Sequence, residues 1–361
     1  VIKPLTSLRF FFAFFVFTSH INFVEQNTGT VLYKIYNSIL NEGFLGVSFF
    51  FILSGFILSY SYKSKLIRNQ ISFKQFWVAR IARIYPLHIV TLLISIPLTF
   101  GESFKNIPIW ISGLISNIFL VQSFIPLNEI FFSFNGVSWS ISNEMFFYAL
   151  FPILTLFYYK YCQLVKFTVL LLLLVPIGIY FIPSEIEHRY FYINPIIRLA
   201  DFLIGIFLYY LYSYFKSSKV LKNKTTTTSF EIISILLFGL FFKAHGIIPK
   251  GYRYSCYYWL SMSSIILIFA YQAGYISKLL SHKYFVFLGE ISFSFYLWHH
   301  LIIVYILKLN GIFIFTQNQY ILVFIMLIIS LVLSYISYRF IEIPCNTYIK
   351  RKYNELSIKI V

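Results

Sequence analysis

An arginine and a histidine, Arg9 and His20, stand near the two ends of the apolar run Ser7–Asn22, SLRFFFAFFVFTSHIN. Eleven residues of α-helix make about three turns, so the two side chains share a face, about 16 Å apart along the axis. Charged and titratable groups are expensive in hydrocarbon and mark sites or pathways where they are kept. An imidazole so placed can take a proton as a general base, and an arginine can hold an anion. The alternative is an arginine snorkelling to the headgroups and a histidine satisfied inside a bundle.

Other stretches carry groups that could complete such a site. FWVARIARIYPLH places Arg80 and Arg83 three residues apart on one helix face, with Pro86 after them. Two forked guanidiniums suit phosphate oxygens, and they equally suit a topology signal resting on lipid headgroups. NGVSWSISNEMFFYALFP holds Glu144 one to two turns inside an apolar run, at the depth expected of His20. A carboxylate there needs a partner: it either polarises a histidine or joins a structural ion pair. LGEISFSFYLWHHLII adds His299 and His300, neighbours that point about 100° apart on a helix, so one of them is expected to face inward. NPIIRLADFLIG sets Arg198 three residues before Asp201, a self-neutralising pair that reads as structural. YRFIEIPCN carries Arg339 and Glu342 with the same spacing, read as an ion pair or a cosubstrate contact. In GFLGVSFFFILSGFILSY, Gly46, Ser54 and Gly55 are small enough to let helices approach closely.

These groups need a membrane bundle to position them. Of 361 residues, 59% are hydrophobic and 11% charged, well below the quarter or so of charged residues in soluble domains. The 44 Phe and 30 Tyr suit lipid-facing helices with aromatic belts. The expectation is an all-α, polytopic membrane helical bundle forming one domain over 1–361. Ten spans are expected, at about 5–24, 43–62, 84–101, 138–159, 167–183, 195–214, 229–247, 255–272, 284–306 and 319–341. The first run lacks a small-residue cleavage site and is expected to remain as an anchor.

A net charge of +17 would suggest nucleic acid in a soluble chain. Here the basic residues cluster between apolar runs, as the positive-inside rule requires, and no nucleic-acid partner is expected. Lys63 to Arg83 holds six basic residues and no acid, which puts this loop and both termini in the cytoplasm. Ile107–Pro126 is apolar but interrupted by Pro108, Asn117 and Gln122. Counting it as a span would throw every later basic cluster outside, so it is read as a re-entrant or interfacial element. Thr225–Thr228 reads as a solvated connector. Cys162, Cys256 and Cys345 are too scattered for a disulfide framework or a metal site. No internal repeat, GxGxxG, Walker A, HExxH or G-x-S-x-G motif is present.

On this layout Arg9, Arg80, Arg83 and Arg339 fall toward the inner face, and His20, Glu144 and His299 toward the outer half. Anion binding inside and an imidazole–carboxylate pair outside are what transmembrane acyl transfer needs. A transporter or flippase for an envelope glycan precursor explains the helices and the buried charge equally well, though not the paired arginines.

The motifs together resemble the membrane acyltransferase-3 family, bacterial O-acyltransferases of cell-envelope and secreted glycans. The resemblance runs from SLRFFFAFFVFTSH to YRFIEIPCN. It rests on Arg9 with His20; on Gly46, Phe49, Phe50, Ser54, Gly55 and Phe56; and on Arg80, Arg83 and Pro86. It also rests on Trp139, Ser140, Ser142, Glu144 and Tyr148, and on Ser294, Tyr296, Leu297, Trp298 and His299. Met145 stands where the family often has a second acid, and His300 where a tryptophan is common. The resemblance implies acetyl-CoA or another acyl-CoA as cosubstrate, with no tightly bound cofactor and no metal. It makes His20 the base with Glu144 beside it, sets Arg9, Arg80 and Arg83 on the CoA, and leaves Trp139, Tyr296 and His299 to bind substrate. The acceptor it implies is a sugar hydroxyl of a polysaccharide, lipopolysaccharide or lipid-linked saccharide, and the site a bacterial cytoplasmic (inner) membrane. Some members carry a fused hydrolase-like domain; here a stand-alone membrane module is expected.

Overall fold

The computed structural model describes residues 1–26, 28–103, 106–160, 163–314 and 316–358. Among them every regular element is helical and no strand occurs. The longer helices are α1 (Lys3–Ser19), α2 (Gly46–Ile67), α3 (Phe73–Ser103), α4 (Ile107–Ile118), α5 (Trp139–Lys160) and α6 (Gln163–Phe181). They continue with α7 (Pro195–Phe215), α8 (Lys224–Ala244), α9 (Trp259–Ala270), α10 (Lys283–Phe313), α11 (Gln319–Ser337) and α12 (Ile343–Ile358). Seven stretches of the described chain are long and apolar enough to cross a membrane: Val31–Ile67, Phe73–Gly101, Trp139–Phe157, Pro195–Phe215, Lys224–Ile247, Lys283–Phe313 and Gln319–Tyr353. Ile107–Ile118, Thr168–Phe181 and Cys256–Ala270 are apolar but shorter. The chain is an all-helical integral membrane protein. Cys256 and Cys345 are free thiols, and Cys162 lies outside the described residues.

Two local expectations are corrected. α3 begins at Phe73 and runs through Pro86 and Pro97, because neighbouring groups in a bundle can satisfy the backbone that a proline frees. The helix therefore starts eleven residues before the expected span at 84, and Arg80 and Arg83, read as sharing a helix face, share it on that same helix. Thr225–Thr228 is not a connector: it forms the first turn of α8, with Asn223 as N-cap accepting from the Thr226 amide and Thr227 buried.

The chain divides into two compact units. The first comprises Val1–Phe12, Phe44–Ile71 and Leu150–Glu290. Its central contact joins α2 to α7 almost backbone to backbone. A Cβ added at Gly55 would lie 2.1 Å from the Phe202 carbonyl oxygen, and one at Gly205 would lie 1.9 Å from that of Ile52. Small residues are what permits this approach between membrane helices. Gly55 thus has the packing role read from the sequence, and Gly205 is its reciprocal partner.

In the same unit Arg198 is fully buried and pairs with Asp201 at 2.9 Å. Its guanidinium also donates to Ser48 Oγ at 2.8 Å and to the Tyr254 carbonyl, while the Trp259 indole donates to Asp201. A buried charge survives only when paired and hydrogen-bonded in this way. Glu231, equally buried, accepts from the Ile276 and Ser277 amides at 3.0 and 3.2 Å and so caps the helical turn that follows.

The second unit comprises Ala13–Gly43, Ser72–Ala149 and Ile291–Val361. Here α3 and α10 run side by side in the same direction. Arg83 lies over the Phe293 ring, the Tyr305 hydroxyl donates to the Ile94 carbonyl at 2.6 Å, and Lys308 reaches the Leu98 carbonyl at 3.4 Å. α4 packs back along α3. Its Trp110 indole donates to Thr99 Oγ1 at 3.0 Å, and its C-terminal carbonyls of Asn117 and Ile118 accept from His88 (2.9 Å) and Tyr85. Twelve residues of helix give about 18 Å, short of the ~30 Å hydrocarbon core. The chain then turns at Leu120, φ 55°, and comes back until Phe134 stands 5.4 Å from Trp110, ring to ring. Ile107–Phe134 therefore doubles back on itself and returns to the level of Trp110.

Candidate active site

α1 ends at Ser19, and His20 follows at its C-terminal edge. Its Nδ1 sits 2.8 Å from the Val16 carbonyl oxygen, one turn back. A carbonyl can only accept, so Nδ1 carries the proton and Nε2 the lone pair. The same Nδ1 lies 3.3 Å from His299 Nε2. His299 is fully buried, with its own Nδ1 3.2 Å from the Phe295 carbonyl, so by the same reasoning its Nε2 is an acceptor. The Nδ1–H of His20 is shared between Val16 and His299, and Nε2 of His20 is a base with its tautomer fixed.

His300 joins this pair. Its ring centroid lies 5.3 Å from that of His20, edge to face, and that of His299 lies 5.1 Å away. One inward histidine was expected; both rings touch His20, because His20 stands where the two directions converge. Room for His300 comes from Gly136: a Cβ there would meet the ring at 2.9 Å. The described residues contain no group of three or more histidines, cysteines or carboxylates arranged to hold a metal ion.

Behind His299 lies Tyr296, with ring centroids 5.6 Å apart. Its hydroxyl shares a 2.7 Å hydrogen bond with Ser140 Oγ. Glu144 lies within electrostatic reach of that hydroxyl. The candidate residues thus form a file, His20 to His299 to Tyr296 to Ser140, with Glu144 beside it. In the described contacts His20 is met by a second histidine, where a carboxylate was expected. Trp139, next to Ser140 at the far end of this file, is buried, 3% exposed. Nearby, Asn117 donates to the Gly113 carbonyl and Ser133 Oγ and accepts from Ser138 Oγ, and Gln122 donates to the Ser138 carbonyl at 3.1 Å. The side-chain amide nitrogens of the two polar residues that broke the apolar pattern of 107–126 find acceptors in the chain around the site.

Arg80 and Arg83 stand toward the start of α3. Arg83 pairs with buried Glu342 at 2.8 Å, and Ser294 also donates to that carboxylate. The expected Arg339–Glu342 pair does not form, since Glu342 turns to Arg83 and Arg339 is exposed. Arg80 lies over the rings of Phe76 and Tyr148, 5.9 Å from each. Lys350 from α12 acts electrostatically on both arginines. The result is a cluster of three cations with one buried acid. Five residues of α10 separate Ser294, at this cluster, from His299, about 7.5 Å along the axis. Arg9, half-buried, belongs to the first unit and is described with it.

Chemically, the second unit offers an oriented neutral base with a polar file behind it and cations one or two helical turns away. That suits proton removal from a hydroxyl next to an anionic cosubstrate.

A family model described as "Acyltransferase domain" matches residues 4–339. The O-acetyltransferase OatA of Staphylococcus aureus is 29% identical over 340 residues, 88% of this chain and 55% of that protein. The acyltransferase MdmB of Streptomyces mycarofaciens is 40% identical over 159 residues, 42% of this chain and 38% of its own. This chain thus spans about half the length, or less, of the curated relatives it matches. No solved structure matches it. With the family model running through almost every span, the histidine file, Arg80 and Arg83, the chain belongs to the acyltransferase-3 family.

Proposed function

We propose that this protein is an O-acyltransferase of the bacterial cytoplasmic membrane, with both termini in the cytoplasm, that moves an acetyl or other short acyl group from acyl-CoA to a sugar hydroxyl of an envelope or secreted glycan or its lipid-linked precursor. The observation that carries the reading is the fixed tautomer of His20, whose Nδ1–H is held by Val16 and His299. Its Nε2 takes the proton of the acceptor hydroxyl as the oxygen attacks the thioester carbonyl. The carbon–sulfur bond then breaks, and the CoA thiolate leaves with the proton that His20 returns. The arginine cluster supports the donor side of the reading: Arg80 and Arg83, with Lys350, offer the charge that CoA phosphates require. Arg9 is assigned to the same cosubstrate, and Trp139, Tyr296 and His299 to the substrate side. Membership of the family and similarity to a protein named an O-acetyltransferase support the reaction class.

The test compares envelope glycan from cells carrying wild-type and His20→Ala protein by mass spectrometry. An acetyl mass shift seen only with the wild type is expected. Equal acetylation by a His20→Ala protein present at wild-type level would remove His20 from the mechanism. Stabilisation of the purified wild-type protein by acetyl-CoA against thermal unfolding would separate an enzyme from a transporter.

A further inference from the structure

The turn-back segment and Thr99 of α3 line an open cleft of about 560 Å³, separate from the residues placed at the base and the arginine cluster. We infer that this cavity is the binding site for the acceptor, an uncharged saccharide. The inference rests on the acyl-transfer reading for the identity of the bound partner as acceptor, and on the cavity alone for its chemistry.

The volume falls within the ~300–1,000 Å³ range of small-molecule sites. Trp110, Phe132 and Phe134 supply aromatic surface, and Asn106, Asn128 and Glu129 supply amide and carboxylate groups. Rings for the apolar face of a pyranose, with amides and a carboxylate for its hydroxyls, are the mix that sugar recognition needs. The lining carries the Glu129 carboxylate and, among the described residues, no lysine or arginine. The Glu129 carboxylate and the amides of Asn106 and Asn128 can accept from the hydroxyls of a neutral sugar.

The cavity is built. Trp110 is fixed by its indole bond to Thr99 Oγ1. Phe134 is held at φ 61°, a left-handed conformation that an aromatic residue rarely adopts, while only 6% exposed. Strain of this kind persists where surrounding structure over-determines it. Phe134 is also two residues from Gly136, which touches His300. Two residues span at most about 7 Å, so a short stretch of backbone leads from the cavity wall at Phe134 to the contact with His300. The cavity mouth and the arginine cluster lie toward opposite ends of α3: sixteen residues separate Arg83 from Thr99, about 24 Å. Donor and acceptor are thereby given separate entrances to one base.

The experiment uses the full-length protein in detergent, acetyl-CoA, and oligosaccharide released from the envelope of cells lacking the protein. Trp110→Ala and Glu129→Gln are compared with wild type; the second replaces an exposed carboxylate and guards against loss of folding in the first. The expected result is a KM for oligosaccharide raised about tenfold in each, with the KM for acetyl-CoA unmoved. An unchanged oligosaccharide KM in both variants would overturn the assignment. Oligosaccharide that binds wild type but not Trp110→Ala, with no acetyl transferred by wild type, would leave the saccharide site standing and remove the transfer reading. Absence of both binding and transfer would remove both.

Discussion

Replacing His299 tests whether the file behind His20 acts in the reaction. In the resting state the His20 Nδ1–H is shared, 2.8 Å to Val16 and 3.3 Å to His299, and the longer arm contributes little. When His20 takes the acceptor proton it becomes an imidazolium. The bond to His299 Nε2 is then charge-assisted, worth about 1.5–3 kcal/mol. His299→Phe removes that acceptor and keeps the volume, so kcat should fall about 10- to 100-fold, with the KM for acetyl-CoA unchanged. His299→Gln restores an acceptor and should recover part of the rate. The assay is release of free CoA thiol in the presence of acceptor, with thermal unfolding run in parallel to show that each variant is folded. A His299→Phe protein with wild-type kcat would refute the reasoning. So would a His299→Gln protein as impaired as His299→Phe.

Three further outcomes are expected. Gly205→Ala drives a Cβ to within 1.9 Å of the Ile52 carbonyl oxygen, so α2 and α7 must separate; the cost is about 1–3 kcal/mol, read as a lower thermal midpoint and less protein in the membrane. Glu342→Ala leaves Arg83 and Ser294 without their carboxylate; Arg83 is partly exposed, so the loss should be about 2–3 kcal/mol, under the full cost of breaking a buried pair, measured by chemical denaturation. His188, in the turn between α6 and α7, is pushed down to about 4 by burial and by the charge of Lys250. Between the ordinary histidine value of 6.5 and about 4 the unfolded chain binds a proton that the folded chain refuses, so stability falls as pH drops through that window. His188→Phe should flatten the slope in thermal unfolding measured from pH 7 to 4.

Periodicity reveals which residues share a helix face, and it gave the all-helical fold class, the Arg198–Asp201 pair and the close approach at Gly55, while seven stretches of the described chain, against the ten expected, are long and apolar enough to cross a membrane. It cannot choose among distant partners. Arg339 satisfied the local spacing rule for Glu342, yet the carboxylate is taken by Arg83, from a helix some 260 residues earlier. The 100° rule excluded a joint role for His299 and His300 only if their partner faced α10 from one side; His20, at a helix end, meets both. The return at Leu120 and the bend at Phe134 were hidden because left-handed turns are usually marked by glycine or asparagine. The Ser140–Tyr296 bond crosses 156 residues and leaves no local signal.

The hydrogen bonding of the turn-back segment also sets an order of assembly. Asn117 and Gln122 find their partners in Ser133 and Ser138, residues made later by the ribosome. Until those arrive, each bare amide would cost several kcal/mol in hydrocarbon. The segment must therefore wait in water or at the headgroups, and it enters together with the start of α5. A chain cut after Phe134 would keep the Asn117 bond to Ser133 and lose both contacts to Ser138, so Gln122 would be left without its acceptor. The cavity wall thus forms with the start of α5, and the base is completed only when α10 brings His299 and His300 to His20.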